Sequence, residues 1–124
     1  MSVTIFHNPA CSTSRKVLEV LRETGVEPKI VLYLNDPPSK KELATLLGQM
    51  KMTPRELLRK RGTPYEELGL GDMSLSDAAL IDAMVTHPIL IERPIVITAK
   101  GAVLCRPAER VYEVLPDKAA PAGQ

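Results

Sequence analysis

Val3-Thr4-Ile5-Phe6 runs into His7-Asn8-Pro9-Ala10-Cys11-Ser12-Thr13-Ser14-Arg15, and this stretch decides the fold. The first four residues read as a short strand. The next four carry turn chemistry. Ser12, Thr13 and Ser14 are all helix N-cap types, and the helix they introduce has Val17, Leu18 and Leu21 on one face. Gly25 is its natural stop. Lys29 to Leu34 then reads as a second strand, apolar at successive positions and so expected to be buried on both faces of a parallel pair. Asn35-Asp36-Pro37-Pro38 breaks the chain. Strand, helix and strand in this span make a βαβ unit.

A helical middle follows. Ser39 with Glu42 forms a capping box ahead of Leu43, Leu46, Leu47 and Met50. Thr53-Pro54-Arg55-Glu56 is a second box with proline at the first helical position, and Arg59 is expected near that helix's end. Thr63-Pro64-Tyr65-Glu66 repeats the pattern up to Gly69. Ser76 caps a helix carrying Leu80, Ile81 and Met84, which stops before Pro88. Pro94–Thr98 and Ala102–Cys105 read as strands joined by a hairpin at Ala99-Lys100-Gly101, where glycine supplies positive φ. Pro107 opens a last helix with Val111, Val114 and Leu115.

The order is β-α-β, a helical insert, then β-β-α. It predicts an α/β protein of thioredoxin-like type: a four-stranded mixed sheet with flanking helices. Residues 1–115 form the single domain, with the insert at about 39–88. Residues 116–124 read as a disordered tail.

The totals exclude several classes. The chain has 124 residues and is 44% apolar, enough for a packed core. Lys plus Arg total 16 against 15 for Asp plus Glu, a net charge of +1, which argues against a nucleic-acid binder. No apolar run approaches the roughly 20 residues that span a bilayer, and no secretory signal is evident at the N-terminus. Cys11 and Cys105 are the only cysteines and lie far apart, which suggests a reducing, cytoplasmic compartment. With His7 and His87 the only histidines and no close Cys-His spacing, no metal site is expected.

Cys11 is the candidate working group. A thiol at a helix start meets unpaired N–H groups and a partial positive charge, which draw its pKa from about 8.5 toward roughly 3.5–7.5. His7 or Arg15 nearby would push the same way. The alternative is a small buried apolar residue, as most free cysteines are; the polar, turn-forming neighbours favour reactivity. Ser14 stands where a Cys-x-x-Cys pair would place a second thiol, so the loop forms no local disulfide. Arg59, Arg93 and Arg106 have settings suited to gripping an oxyanion, although each alone reads better as surface charge. His7 could orient or acidify Cys11, but a lone histidine reads more readily as structural, here a strand terminus, and Cys105 reads as strand core.

His7-Asn8-Pro9-x-Cys11-x-Thr13-Ser14-Arg15 resembles the active-site loop of the glutaredoxin-dependent bacterial arsenate reductases. Leu57-Leu58-Arg59-Lys60, Pro64-Tyr65-Glu66-x-Leu68-Gly69-Leu70, His87-Pro88-Ile89-Leu90-Ile91-x-Arg93-Pro94-Ile95-Val96 and Leu104-Cys105-Arg106-Pro107 resemble further blocks of the family, in its order. The resemblance implies reduction of arsenate to arsenite. Cys11 would attack arsenate to form a thiol-arsenate adduct. Glutathione would act as co-substrate and glutaredoxin would regenerate the thiol, with no tightly bound cofactor, no nucleic acid and no membrane partner. It implies that His7 favours the thiolate and that Arg59, Arg93 and Arg106 hold the oxyanion, with Asn8, Ser14 and Arg15 completing the substrate loop. It also implies a cis Arg93-Pro94 bond. The chain departs in having Ser12 where the best-known members have glycine, and in a short C-terminus. The alternative is a related family of redox-responsive regulators that bind RNA polymerase; those typically carry Cys-x-x-Cys here.

Overall fold

The computed structural model describes residues 2–115. The tail expected at 116–124 lies outside the described residues. The chain divides into two compact units, one built from Met1–Tyr33 and Arg93–Gln124, the other from Leu34–Glu92.

The first unit carries β1 (Thr4–Phe6), α1 (Ser12–Glu23), β2 (Lys29–Val31), β3 (Ile95–Thr98), β4 (Gly101–Leu104) and a 3₁₀ helix at Ala108–Glu113. The strands form one mixed sheet in the order β2-β1-β3-β4. β1 and β2 run parallel, with Ile5 opposite Ile30, and the other pairs are antiparallel. This is the predicted thioredoxin-like arrangement. Register puts Ile5, Val96 and Val103 on one face, where they meet Val17, Val20 and Leu21 of α1, and Val111, Val114 and Leu115. Burial of such side chains contributes roughly 1.5–3 kcal/mol each. The Arg93–Pro94 bond is cis, as expected, and so is Arg106–Pro107. Gly101, at φ 130, closes the hairpin in a backbone region that side chains rarely enter.

The second unit carries α2 (Lys40–Met50), α3 (Pro54–Leu57), α4 (Asp77–Thr86) and a 3₁₀ turn at Pro88–Leu90. Both capping boxes form: Ser39 Oγ accepts the Glu42 N–H at 3.1 Å, and Thr53 Oγ1 accepts the Glu56 N–H at 3.2 Å. Ser76 Oγ accepts the Ala79 N–H at 3.1 Å. Leu43, Leu57, Leu80, Met84, Leu90 and Ile91 are fully buried.

Five local expectations are corrected. β2 ends at Val31 and its residues are not buried on both faces; Lys29 and Ile30 are exposed because β2 is the sheet edge with one neighbour. None of Ser12, Thr13 and Ser14 caps α1. Cys11 is the N-cap, and Ser14 is one turn inside the helix with its hydroxyl used elsewhere. The box at Thr63-Pro64-Tyr65-Glu66 yields turns, not a helix, because the Thr63 hydroxyl donates backward to the Arg59 and Lys60 carbonyls. α3 stops at Leu57, since Leu58 turns extended and bridges to Ile91, so Arg59 lies beyond the helix. The segment after Pro107 is 3₁₀ and ends before Val114 and Leu115.

Candidate active site

The site grows from the turn that joins β1 to α1. His7 N–H donates to the Val31 carbonyl at 2.9 Å, which extends the β1–β2 pairing into the loop. Asn8 Oδ1 then accepts the Ala10 N–H at 2.9 Å, and the Asn8 carbonyl accepts the Cys11 N–H at 3.0 Å. This Asx turn delivers Cys11 to the N-cap of α1 with extended backbone, φ −95° and ψ 122°. The Cys11 carbonyl accepts the Arg15 N–H at 3.0 Å and opens the helical ladder.

The sulfur is therefore held at a helix start, partly exposed. Burial raises the thiol pKa there. The Ser14 amide, the Arg93 side chain and the Thr13 amide outweigh it, and the net shift is downward. Arg106 Nη1 lies 4.0 Å from the sulfur and donates to the Arg93 carbonyl at 3.1 Å. Arg93 is buried, with its Nε and Nη1 unpartnered. Unpaired buried guanidinium N–H groups cost more than unpaired neutral ones, so the site is short of an acceptor.

Ser14 is fully buried. Its Oγ accepts the Asn8 N–H at 3.0 Å and lies 2.6 Å from His7 Nδ1. Burial pushes the His7 pKa down, and Arg22 and Arg15 add to this, so the neutral imidazole is favoured. A neutral ring offers Nδ1 as acceptor to the Ser14 hydroxyl. His7 thereby braces the turn that carries Cys11. Arg15 Nη1 donates to the Pro9 carbonyl at 2.7 Å and clasps the turn from outside.

Arg59 belongs to the second unit. Its Nη1 pairs with Glu92 Oε1 at 2.9 Å, and its Nε donates to the Arg61 carbonyl at 3.1 Å. Cys105 follows β4 and is fully buried; burial, chiefly, pushes its thiol up to about 12. Both cysteines are free thiols.

Tyr33 and Glu92 were missed in the sequence. Tyr33 is fully buried, its ring stacks on Phe6 at 6.4 Å, and its hydroxyl has the Asn8 and Arg93 side chains as polar neighbours. A tyrosine closing an apolar strand in a chain so poor in aromatics was the available signal. For Glu92 the signal was an acid directly before Arg93.

Among the described residues, no group of three or more His, Cys, Asp or Glu side chains is arranged to hold a metal ion. No helix there is long and apolar enough to cross a membrane.

The ArsC family profile matches residues 6–114. An arsenate reductase of Rhizobium meliloti (strain 1021) is 53% identical over 117 residues, covering 94% of this chain and 84% of that one. The uncharacterized protein YfgD of Escherichia coli (strain K12) is 49% identical over 114 residues, covering 91% of this chain and 96% of that one. A solved structure of an arsenate reductase from Vibrio cholerae superposes with a TM-score of 0.88 at 46% identity, covering 93% of this chain and 98% of that one.

Proposed function

The chain belongs to the ArsC family, and on that footing we propose that it reduces arsenate to arsenite with the Cys11 thiolate as nucleophile and glutathione and glutaredoxin as reductants. The observation that carries the reading is the buried, unpartnered Nε and Nη1 of Arg93 beside a sulfur whose pKa is drawn down. A tetrahedral oxyanion supplies the acceptors that Arg93 lacks and brings an electrophilic centre to the thiolate.

The cycle follows from those positions. The Cys11 thiolate attacks arsenic, an S–As bond forms, and one oxygen leaves as water after taking up a proton. Arg93, Arg106 and the Ser14 and Thr13 amides hold the remaining oxygens. For Arg59, a role in binding the anion rests on the family resemblance alone. A glutathione thiolate then attacks the Cys11 sulfur. The S–As bond breaks with its electron pair on arsenic, As(V) becomes As(III), and arsenite leaves. The two sulfurs, each oxidised by one electron, remain as a mixed disulfide that glutaredoxin resolves by thiolate exchange. The electrons come from glutathione, so the cycle uses no tightly bound cofactor. Two free thiols fit a reducing, cytoplasmic setting.

The test is arsenate-dependent NADPH oxidation in the presence of glutathione, glutaredoxin and glutathione reductase. The reading fails if the rate does not rise above the arsenate-free control, or if Cys11→Ser retains it.

A further inference from the structure

A groove of about 530 Å³ opens beside the Cys11 loop, lined by Ser12, Thr13, Lys16, Arg106, Pro107 and Ala108. We propose that it seats a carboxylate of the small thiol that resolves the Cys11 adduct, selecting an anionic thiol of the glutathione class; this rests on the reading above.

The groove lies next to the reacting residue, which does not itself line it. Ser12 and Thr13 directly follow Cys11 in sequence, and Arg106 Nη1 is 4.0 Å from the sulfur. Lys16 is four residues beyond Ser12 on α1, so the two share a helix face. The lining carries two cations and two hydroxyls and no carboxylate. Lys16 is exposed and has no ion-pair or hydrogen-bond partner among the described residues. Nη1 is the only Arg106 side-chain atom with a hydrogen-bond partner among them.

The groove is distinct from the oxyanion position. Arg93, whose buried N–H groups await an acceptor, does not line it. Arg106 touches both. The volume falls in the roughly 300–1,000 Å³ typical of sites for drug-sized ligands, far more than a lone oxyanion needs. A molecule that must bring a thiolate to the Cys11 sulfur fits, with its carboxylate a few bonds away against Lys16 and Arg106. A neutral thiol gains nothing from those cations.

The test uses Lys16→Gln, with Lys29→Gln as a charge-matched control; Lys29 is exposed on β2, away from the groove. One arm measures, without arsenate, the rate at which Cys11 forms a mixed disulfide with oxidised glutathione and with the neutral hydroxyethyl disulfide, read by mass spectrometry. Lys16→Gln is expected to slow the glutathione reaction about fivefold, the scale of one exposed charge contact, and to leave the hydroxyethyl reaction unchanged. A second arm measures turnover: KM for glutathione rises by a similar factor and KM for arsenate holds. The groove assignment is overturned if Lys16→Gln and Lys29→Gln behave alike, or if both disulfides slow equally. Discrimination between the disulfides in a protein that does not reduce arsenate sinks the arsenate reading and keeps the groove. Arsenate reduction without discrimination sinks the groove alone.

Discussion

His7 Nδ1 and Ser14 Oγ lie 2.6 Å apart, both residues buried, and the same oxygen accepts the Asn8 N–H at 3.0 Å. One hydroxyl thus ties the end of β1 to the first turn of α1, and the Cys11 loop hangs between them.

Ser14→Ala removes that tie and leaves a buried N–H without an acceptor. The cost is about 1–3 kcal/mol, read as a lower denaturation midpoint in urea. The Cys11 thiol pKa is also expected to rise as the loop loosens, measured from alkylation rate against pH. A variant with wild-type stability and thiol pKa would show that the hydrogen bond holds nothing.

Cys11 itself gives a stability signature with a definite sign. Its folded pKa is lowered, so its stabilising contribution is present above the unfolded thiol value and lost as pH falls through the folded one. The stability difference between wild type and Cys11→Ser is therefore expected to grow as pH rises from the folded pKa toward about 8.5, the free thiol value. A flat difference across that window would contradict the shift.

Arg93 is expected to be needed as a fork and not only as a charge. Arg93→Lys keeps the cation and loses paired donors, so kcat/KM for arsenate should drop about 10- to 100-fold, the scale of one charged hydrogen bond. Wild type should gain thermal stability on adding arsenate, as any ligand of the folded state produces, and Arg93→Lys should gain much less. An equal thermal shift in both would remove Arg93 from the anion site.

The Arg59–Glu92 pair is only about one-fifth exposed on either side, 19% and 21%. A double-mutant cycle with Arg59→Gln and Glu92→Gln should give a favourable coupling of about 1 kcal/mol, at or above the upper end for fully exposed pairs. Zero coupling would mean the contact is incidental, leaving Arg59's proposed role in holding arsenate to be tested by its own KM.

Cys105→Ala should leave turnover with glutathione and glutaredoxin near wild type, because a thiol pushed up to about 12 is not a nucleophile near neutrality. The sign of its pH effect is opposite to that of Cys11. In wild type the raised folded pKa makes stability fall as pH climbs from the unfolded value toward about 12, and the substitution should flatten that fall. Lost turnover with the fold intact would make Cys105 the resolving thiol.

The sequence by itself determined what depends on near neighbours. The capping boxes at Ser39 and Thr53 satisfy amides three residues away, and Gly101 answers to its own φ. The β-α-β and β-β-α order follows from hydrophobic spacing, and with it the sheet and the place of Cys11 at a helix start. Tertiary structure alone decided the rest, because each remaining feature depends on what arrives from far along the chain. Whether Lys29–Val31 is buried depends on which strands flank it, and the sheet order left it at an edge. Leu58 turns extended to pair with Ile91, thirty-three residues on, and that pairing ends α3 despite its cap. Ser14 stops being a cap candidate once His7 and Asn8 compete for its oxygen. Arg93 is buried and not surface charge because neighbours such as Tyr33 and Cys11 close around it and leave two N–H groups unanswered. Short-range hydrogen bonding and steric limits are written residue by residue; burial and electrostatic environment are properties of neighbours that only folding supplies.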